Sequence, residues 1–592
     1  SIKHFAANNA ETNRNALDTV VSERALRELY LEGFRIAVEG AQPWTVMSAY
    51  NLINGTHTSE SHDLLTKVLR DDWGFRGFVM TDWFGGIDPV AQVEAGNDLL
   101  MPGTIDQAKA IISAVEEGRL DERVLDRNIE RILQVLVRSP RFRGYAYSNE
   151  PDLKAHAEVA RQAASEGMVL LKNSDRTLPL APAARLALFG NASYATVIGG
   201  TGSGKVNEAY SVSPAEGLTA AGYAVDESLR GSYRGHIEAE KSKLPPPRPF
   251  APQVVIEEMA VGPAPAARAA ASADAAIITI GRNSGEGRDR NIDGDFNLTR
   301  AEKELIEQVA RAFHAGGKKV VVVLNIGGVI ETASWRDIPD AMLLVWQGGQ
   351  EAGNAIADVL SGRVNPSGKL ATTFPVSYPD VPSAKNFPGT VIETAREPNG
   401  DEAADQEDLM AVFRKPKASR VVYEEGIYVG YRYHETFGVK PAYEFGYGLS
   451  YTNFDYSGLR LSSGQFSESL TVAVVVRNTG DRAGREVAQL YIGAPAVKLD
   501  KPAAELKGFA KTRLLQPGES ELLEFTLLPR DLSSFDAALS SWIAEAGDYE
   551  IRIGASSRDI RRTAVFSLKR ELMVKKDSVA LRPVRPINEM KP

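Results

Sequence analysis

Two carboxylates in this sequence stand where chemistry could be done. One is Asp82, at the end of Gly77-Phe78-Val79-Met80-Thr81-Asp82-Trp83. Phe78, Val79 and Met80 read as a short buried strand, so Asp82 falls at its C-terminal tip. The other is Glu286, in Gly281-Arg282-Asn283-Ser284-Gly285-Glu286-Gly287-Arg288-Asp289, a glycine-rich loop leaving the apolar run Ala275–Ile280. Loops at the carboxyl ends of strands carry the functional residues of α/β sheets and barrels. A pair of carboxylates flanking one bond is what hydrolysis of a glycosidic linkage needs. One attacks the anomeric carbon, and the other, protonated near neutral pH, helps the leaving oxygen depart. Burial would raise Glu286 toward neutrality, with Asp82 left ionised near Lys3. Each carboxylate also has a plainer reading: Asp82 as a turn or helix N-cap, Glu286 as a solvated loop acid. Asp289 is the nearest alternative acid in the same loop.

The elements needed to hold these residues are legible. Leu64, Leu65, Val68 and Leu69 have helical spacing, and Gly74 is a stop signal ahead of the Asp82 strand. Ile2–Phe5, Thr45–Tyr50 and Ala95–Met101 read as further strands. Ser22 is a cap for a helix bearing Leu26, Leu29, Tyr30 and Phe34, and helices follow near Asp106–Glu117 and Glu122–Val137. That makes about four βα units where a barrel has eight, so residues 1–140 are expected to be the second half of a (β/α)8 barrel. Ser1-Ile2-Lys3-His4-Phe5 opens without an initiator Met and looks like the end of a strand begun upstream.

A linker is expected over 141–160, beginning in the aperiodic stretch Arg138–Pro151. An α/β domain should span 161–380. Arg185–Phe189, Ala275–Ile280, Lys319–Leu324 and Ala341–Val345 suit parallel strands buried on both faces. Thr299 and Glu302 form a capping box for a helix bearing Leu305, Ile306, Val309 and Phe313, ended by Gly316 and Gly317. Residues 244–253 are a Pro-rich loop. Residues 381–420 read as a polar surface loop or insertion, and 421–460 as the end of the α/β domain with a connector. From 465 to 570 the period becomes two, over Ser469–Val476, Glu486–Ile492, Leu522–Leu527 and Tyr549–Ile553. Turns at Asn478-Thr479-Gly480 and Gln516-Pro517-Gly518 complete the pattern of a small β-sandwich. A polar tail, 571–592, has no core of its own.

Composition narrows the classes. The chain has 592 residues, too many for one core. Its 43% apolar and 24% charged content is that of a soluble globular protein. A net charge of −9 without a block of one sign argues against nucleic acid as a partner. With no cysteine, thiolate chemistry, iron–sulfur clusters and cysteine zinc sites are excluded. The seven histidines lack metal-ligand spacing, and no cofactor is implied. Gly199–Val206 fits most of a phosphate-binding loop. Val206, however, occupies the magnesium-ligand position, and the loop is flanked by neither the strand nor the helix it needs.

Several motifs, in order, are similar to glycoside hydrolase family 3. They are Lys3-His4-Phe5-Ala6-Ala7-Asn8-Asn9-Ala10-Glu11-Thr12-Asn13-Arg14, Met47-Ser48-Ala49-Tyr50-Asn51 and Phe75-Arg76-Gly77-Phe78-Val79-Met80-Thr81-Asp82-Trp83. Glu166-Gly167-Met168-Val169-Leu170-Leu171-Lys172-Asn173 and Phe445-Gly446-Tyr447-Gly448-Leu449-Ser450-Tyr451 follow. The resemblance spans nearly the whole chain. It implies a barrel, an α/β sandwich and a fibronectin type III-like domain, and a retaining β-glycosidase. A β-glucosidase acting from the non-reducing end is favoured. A β-xylosidase and a catalytically impaired carbohydrate-binding scaffold are the alternatives. It further implies Asp82 as nucleophile, Glu286 as acid/base, and Lys3, His4, Arg14, Met47, Tyr50, Trp83 and Ser203 around the sugar. Ser203, with Gly202 and Gly204, would face the sugar pocket and not a phosphate. The family's first four or so βα units have no counterpart here, nor do an Asp and an Arg that hold the sugar. The chain by itself is therefore expected to be inactive on aryl β-glucosides, with activity returning when upstream units are supplied in cis or in trans. The Lys-His-Phe-Pro-Gly-His loop of the N-acetylglucosaminidase branch is absent, because Ala6-Ala7-Asn8 stand in its place. The implied partner is a small carbohydrate, with no nucleic acid or membrane and a homodimer left open. A periplasmic or secreted location is slightly favoured.

Overall fold

The computed structural model describes residues 1–244, 256–283, 285–392 and 417–592. Most of the Pro-rich loop, Ser284 and the centre of the 381–420 segment lie outside the described residues.

In the N-terminal part, strands β1 (Ile2–Phe5), β2 (Leu17–Val20), β3 (Thr45–Ser48), β4 (Leu52–Ile53), β5 (Thr56–His57) and β6 (Phe78–Met80) form. Three of them make a parallel sheet in the order β1-β3-β6, in register Thr45↔Phe78, Val46↔Val79 and Met47↔Met80. The helix Asp63–Asp72 delivers the chain to β6, and its Leu64, Leu65, Val68 and Leu69 are fully buried. Gly74 ends that helix at φ 69°, a left-handed conformation for which glycine has no Cβ penalty. Ser22 caps its helix as expected, accepting from the Ala25 amide at 3.1 Å.

The expected strand over Ala95–Met101 is not one. Residues up to Ala95 close a helix begun at Pro89, and only the single parallel bridge Met80↔Leu99 continues the sheet. The reason is Asp98. Its carboxylate takes the Val79 amide at 2.7 Å and pairs with Arg70 at 2.7 Å and Arg131 at 3.0 Å. A side chain thereby takes the Val79 amide, and the backbone bonds that remain there join Asp98 and Leu99 to Val79 and Thr81.

The second part is an open sheet of β7 (Val169–Asn173), β8 (Arg185–Phe189), β9 (Ala224–Val225), β10 (Ala275–Arg282), β11 (Lys319–Ile326) and β12 (Ala341–Leu344). The order is β7-β12-β11-β10-β8-β9, parallel throughout except for β7. Along β11, Val320, Val322 and Leu324 enter one core and Val321 and Val323 the other, so helices cover both faces. The Thr299–Glu302 capping box is present, on the helix Arg300–Ala315.

The segment expected to be a surface loop, 381–420, is partly a sheet. Strands β13 (Thr390–Val391) and β14 (Ser419–Val422) extend a sheet ordered β13-β14-β2-β4-β5. Val421 and Tyr423 are buried in the same core as Leu17 and Phe5, which explains the pairing. These two apolar residues sit just after a long polar run, where local pattern is a poor guide.

The C-terminal part is a β-sandwich. Its strands are β15 (Phe454–Leu461), β16 (Leu470–Asn478), β17 (Val487–Gly493), β18 (Glu505–Lys511), β19 (Ser520–Leu527), β20 (Ser534–Asp536), β21 (Ser541–Ala544), β22 (Gly547–Gly554), β23 (Ile560–Leu568) and β24 (Leu572–Lys576). Sheets β15-β16-β19 and β18-β17-β22-β23 enclose one core, and β20-β21-β24 makes a side ribbon. Beyond β24 the tail returns to the first part, where Ala580 and Leu581 join the core around Phe5 and Leu17. Arg27, 2% exposed, anchors this return through Glu23, Asp72 and Asp577 and the Ser578 carbonyl.

Candidate active site

Asp82 leaves β6 into a cleft and is 8% exposed. Its Oδ1 accepts from the Trp83 amide at 2.7 Å, which turns the other oxygen outward. Oδ2 lies 3.4 Å from His4 Nε2, contributed by β1 two strands away. Burial lowers the His4 pKa below its ordinary 6.5, aided by the charges of Lys3 and Arg14 and opposed by Asp82. His4 is thus mostly neutral at neutral pH, a polar contact more than a counter-charge. The Tyr50 hydroxyl follows β3 and also reaches Asp82. Burial first, and then the Asp82 charge, raise its pKa well above 10.0, so it is a donor at every relevant pH.

Tyr50 leads to the second carboxylate. The Arg14 guanidinium lies 4.4 Å over the Tyr50 ring and donates from Nη2 to Glu286 Oε1 at 2.6 Å. Its Nη1 donates to Glu11 Oε2 at 2.9 Å. From the other side the Ser203 amide donates to Glu286 Oε2 at 2.7 Å. The short turn Gly202–Gly204 presents that amide, and a parallel bridge Thr201↔Gly285 holds the turn to the Glu286 loop. Gly202 sits at φ 65°, with the space a Cβ would need filled by Glu286.

The ionisation of Glu286 departs from expectation. Burial does push its pKa up, but bonds from Ser203 and Arg14, with the Arg14 charge, outweigh it and hold the carboxyl at about 2. Without a sugar in the cleft Glu286 is therefore ionised, not poised near neutrality.

The remaining expected residues surround this chain of contacts. Lys3 is exposed on β1 beside His4, and Met47 is half-buried opposite Met80. Trp83 is 53% exposed and packs edge-to-face with Phe84 at 6.2 Å, a free aromatic wall beside Asp82. Ser203 contacts Glu286 directly, so the glycine-rich turn serves a carboxylate here. Sequence reasoning assigned no role to Glu11 or Thr12 and offered Asp289 only as the alternative acid; these three residues bond the two loops together. The spacing of Glu11 three residues before Arg14 was the one available signal. Among the described residues there is no cluster of three or more acidic or histidine side chains fit to hold a metal. No helix among them is long and apolar enough to cross a membrane.

Residues 1–135 match the glycosyl hydrolase family 3 N terminal domain, 168–431 the glycosyl hydrolase family 3 C-terminal domain and 486–557 a fibronectin type III-like domain. The chain belongs to glycosyl hydrolase family 3. Within this family it is 38% identical to thermostable beta-glucosidase B of Acetivibrio thermocellus, over 94% of this chain and 68% of that protein. It is 35% identical to an exo-alpha-(1->6)-L-arabinopyranosidase of Bifidobacterium breve, over 96% of this chain and 69% of that protein. Beta-glucosidase 3B of Thermotoga neapolitana, solved in complex with α-D-glucose, superposes with a TM-score of 0.88 at 50% identity. That match covers 96% of this chain and 77% of the other. The fold is accordingly the family's: a barrel-like domain, an α/β sandwich and a fibronectin type III-like β-sandwich.

Proposed function

We propose that this family 3 chain is a retaining, exo-acting β-glucosidase that removes glucose from the non-reducing end of β-glucosides and short oligosaccharides. The observation that carries the reading is the continuous set of contacts from Asp82 through Tyr50 and Arg14 to Glu286. It puts one carboxylate from each of two sheets into a single cleft. Asp82 attacks the anomeric carbon and displaces the aglycone oxygen, to which Glu286 delivers a proton. Glu286, now a carboxylate, takes a proton from water as that water attacks the glycosyl ester. Two inversions leave the β configuration unchanged. Lys3, His4, Arg14 and Tyr50 supply donors for sugar hydroxyls, Ser203 orients Glu286, Met47 lines the floor and Trp83 covers one sugar face.

The test is trapping with a 2-deoxy-2-fluoroglucoside, followed by peptide mapping. It is run on the chain and, in parallel, on the chain with barrel units supplied upstream in cis. Label is expected on the peptide containing Asp82, and a label on any other carboxylate overturns the assignment.

A further inference from the structure

The loop that carries Glu286 is bound to the barrel loop by contacts that none of the roles above uses. Asp289 accepts from the Glu11 amide at 2.9 Å and, with its other oxygen, from the Thr12 amide at 2.9 Å and the Thr12 hydroxyl at 2.5 Å. In the opposite direction, the Gly287 amide donates to Glu11 Oε2 at 2.9 Å. That same oxygen takes Arg14 Nη1. The bonds are reciprocal: each loop gives one carboxylate and receives the amides of the other.

The placement of these residues matters more than their number. Asp289 lies three residues after Glu286, and Glu11 three before Arg14, so each end of the clasp is one turn from a site side chain. Apart from the clasp, the loop is held at Glu286 by Arg14 and Ser203 and at Arg290 by Asp295 and the Val329 carbonyl, which leaves the backbone of 287–289 to the clasp. β10 ends at Arg282, and among the described residues the only bridge before Ile292 is Thr201↔Gly285. Gly287, at φ 100°, makes the turn between Glu286 and Asp289. A loop this rich in glycine has many conformations unless something outside it selects one. The outside element here belongs to the other sheet, the one that carries Asp82.

We propose that Asp289 and Glu11 are positioning residues that lock the acid/base loop onto the barrel and so set where Glu286 stands relative to Asp82. This rests on Glu286 being the acid/base. It also removes Asp289 as a rival acid, since both of its oxygens are engaged with residues 11 and 12. A displacement of ~1 Å in a catalytic group can cost ~100-fold, so a loosened clasp reads out kinetically without loss of the fold.

The experiment, run on the chain with barrel units supplied upstream in cis, compares D289A, the milder T12V, E286A and the double variant D289A/E286A on cellobiose and on 2,4-dinitrophenyl β-glucoside, whose leaving group needs no proton. D289A should lower kcat/KM for cellobiose by roughly 10- to 100-fold while barely changing it for the dinitrophenyl substrate. T12V should shift it in the same direction by less. In the E286A background, D289A should cost nothing further, because it acts through Glu286. Equal losses on both substrates, or an added loss in the double variant, would overturn the proposal. E286A that keeps full activity on cellobiose would instead remove the acid/base reading on which it stands.

Discussion

Binding of glucose should make this protein take up a proton, and the size of that uptake tests how Glu286 becomes an acid. In the free cleft the carboxyl is held at about 2 against its ordinary 4.5. At pH 5 only about one molecule in a thousand then carries the proton that catalysis needs. Arg14 is the movable partner: it lies over Tyr50 within reach of the same cleft that receives sugar hydroxyls. Its transfer from Glu286 to the sugar would remove the cationic contact, leaving burial, which pushes the carboxyl up, opposed by the Ser203 bonds alone. A rise to ~6 would correspond to ~5 kcal/mol at 1.36 kcal/mol per unit. Glu286 is 21% exposed and water at the cleft mouth screens its ion pair, so about 1–3 kcal/mol is expected. The sign follows from the direction. The bound pKa exceeds the free one, so affinity for glucose is greatest below the free value, falls as pH rises through the bound value, and is flat above it. A shift of that size puts the bound value about one to two units above the free one, so isothermal titration in buffers of different ionisation enthalpy should show uptake of part of a proton per glucose, greatest near about pH 3 and small by pH 5. E286Q should show none, and R14Q less than the parent. A parent enzyme that binds glucose without proton uptake anywhere between about pH 3 and 7 would refute the transfer of Arg14, as would undiminished uptake in E286Q.

Gly202 gives a steric test. In G202A the new Cβ must share space with the Glu286 Cβ and carboxylate, at 2.5 and 2.7 Å, on a backbone at φ 65°. We expect a kcat loss on cellobiose of roughly 10-fold or more with little change in melting temperature; an unchanged kcat would mean the turn does not press on Glu286. Arg27 tests the tail. R27A leaves Glu23, Asp72 and Asp577 buried without their shared cation, for a cost of about 3–5 kcal/mol in denaturant unfolding, partly recovered in R27A/D577N. A loss below ~1 kcal/mol would show that the returning tail is held by Ala580 and Leu581 alone.

The sequence pattern was most informative where a strand is buried on both faces. β8 runs over the expected Arg185–Phe189, and β10 and β11 include the expected runs and continue two residues beyond them. The continuation passes through Gly281–Arg282 and Asn325–Ile326, residues with no strand signal. They stay in register because Arg282 forms a two-pronged pair with Glu302, at 2.5 and 2.6 Å, and the Asn325 side chain bonds Val197 and Trp346. Those partners come from distant segments, which no local window contains. The sandwich strands β18 and β23 escaped notice for a different reason. β18 has no clear alternation of buried and exposed residues, and β23 is mostly exposed along its first half. A strand that does not alternate gives period-two reasoning nothing to detect.

The same distinction separates what could and could not be read about the site. Asp82, Tyr50 and His4 could be placed because the first two follow short strands of one parallel sheet and His4 lies near the end of a third, and strand ends converge on one side of such a sheet. Position is a local property there, fixed by β1, β3 and β6. The charge state of Glu286 is not local. Its loop predicts burial, and burial alone would have raised its pKa, as the sequence suggested. Arg14, from the other sheet, and the Ser203 amide, from a turn before β9, reverse the sign. The Ser203 contact is made between two loops of one sheet, but the Arg14 contact exists only once the two sheets have docked, and Asp289 with Glu11 is what the structure offers as the docking element. The charge of Glu286, the proposed acid, is therefore tied to the interface, and substitutions in the clasp should change its protonation as well as its place.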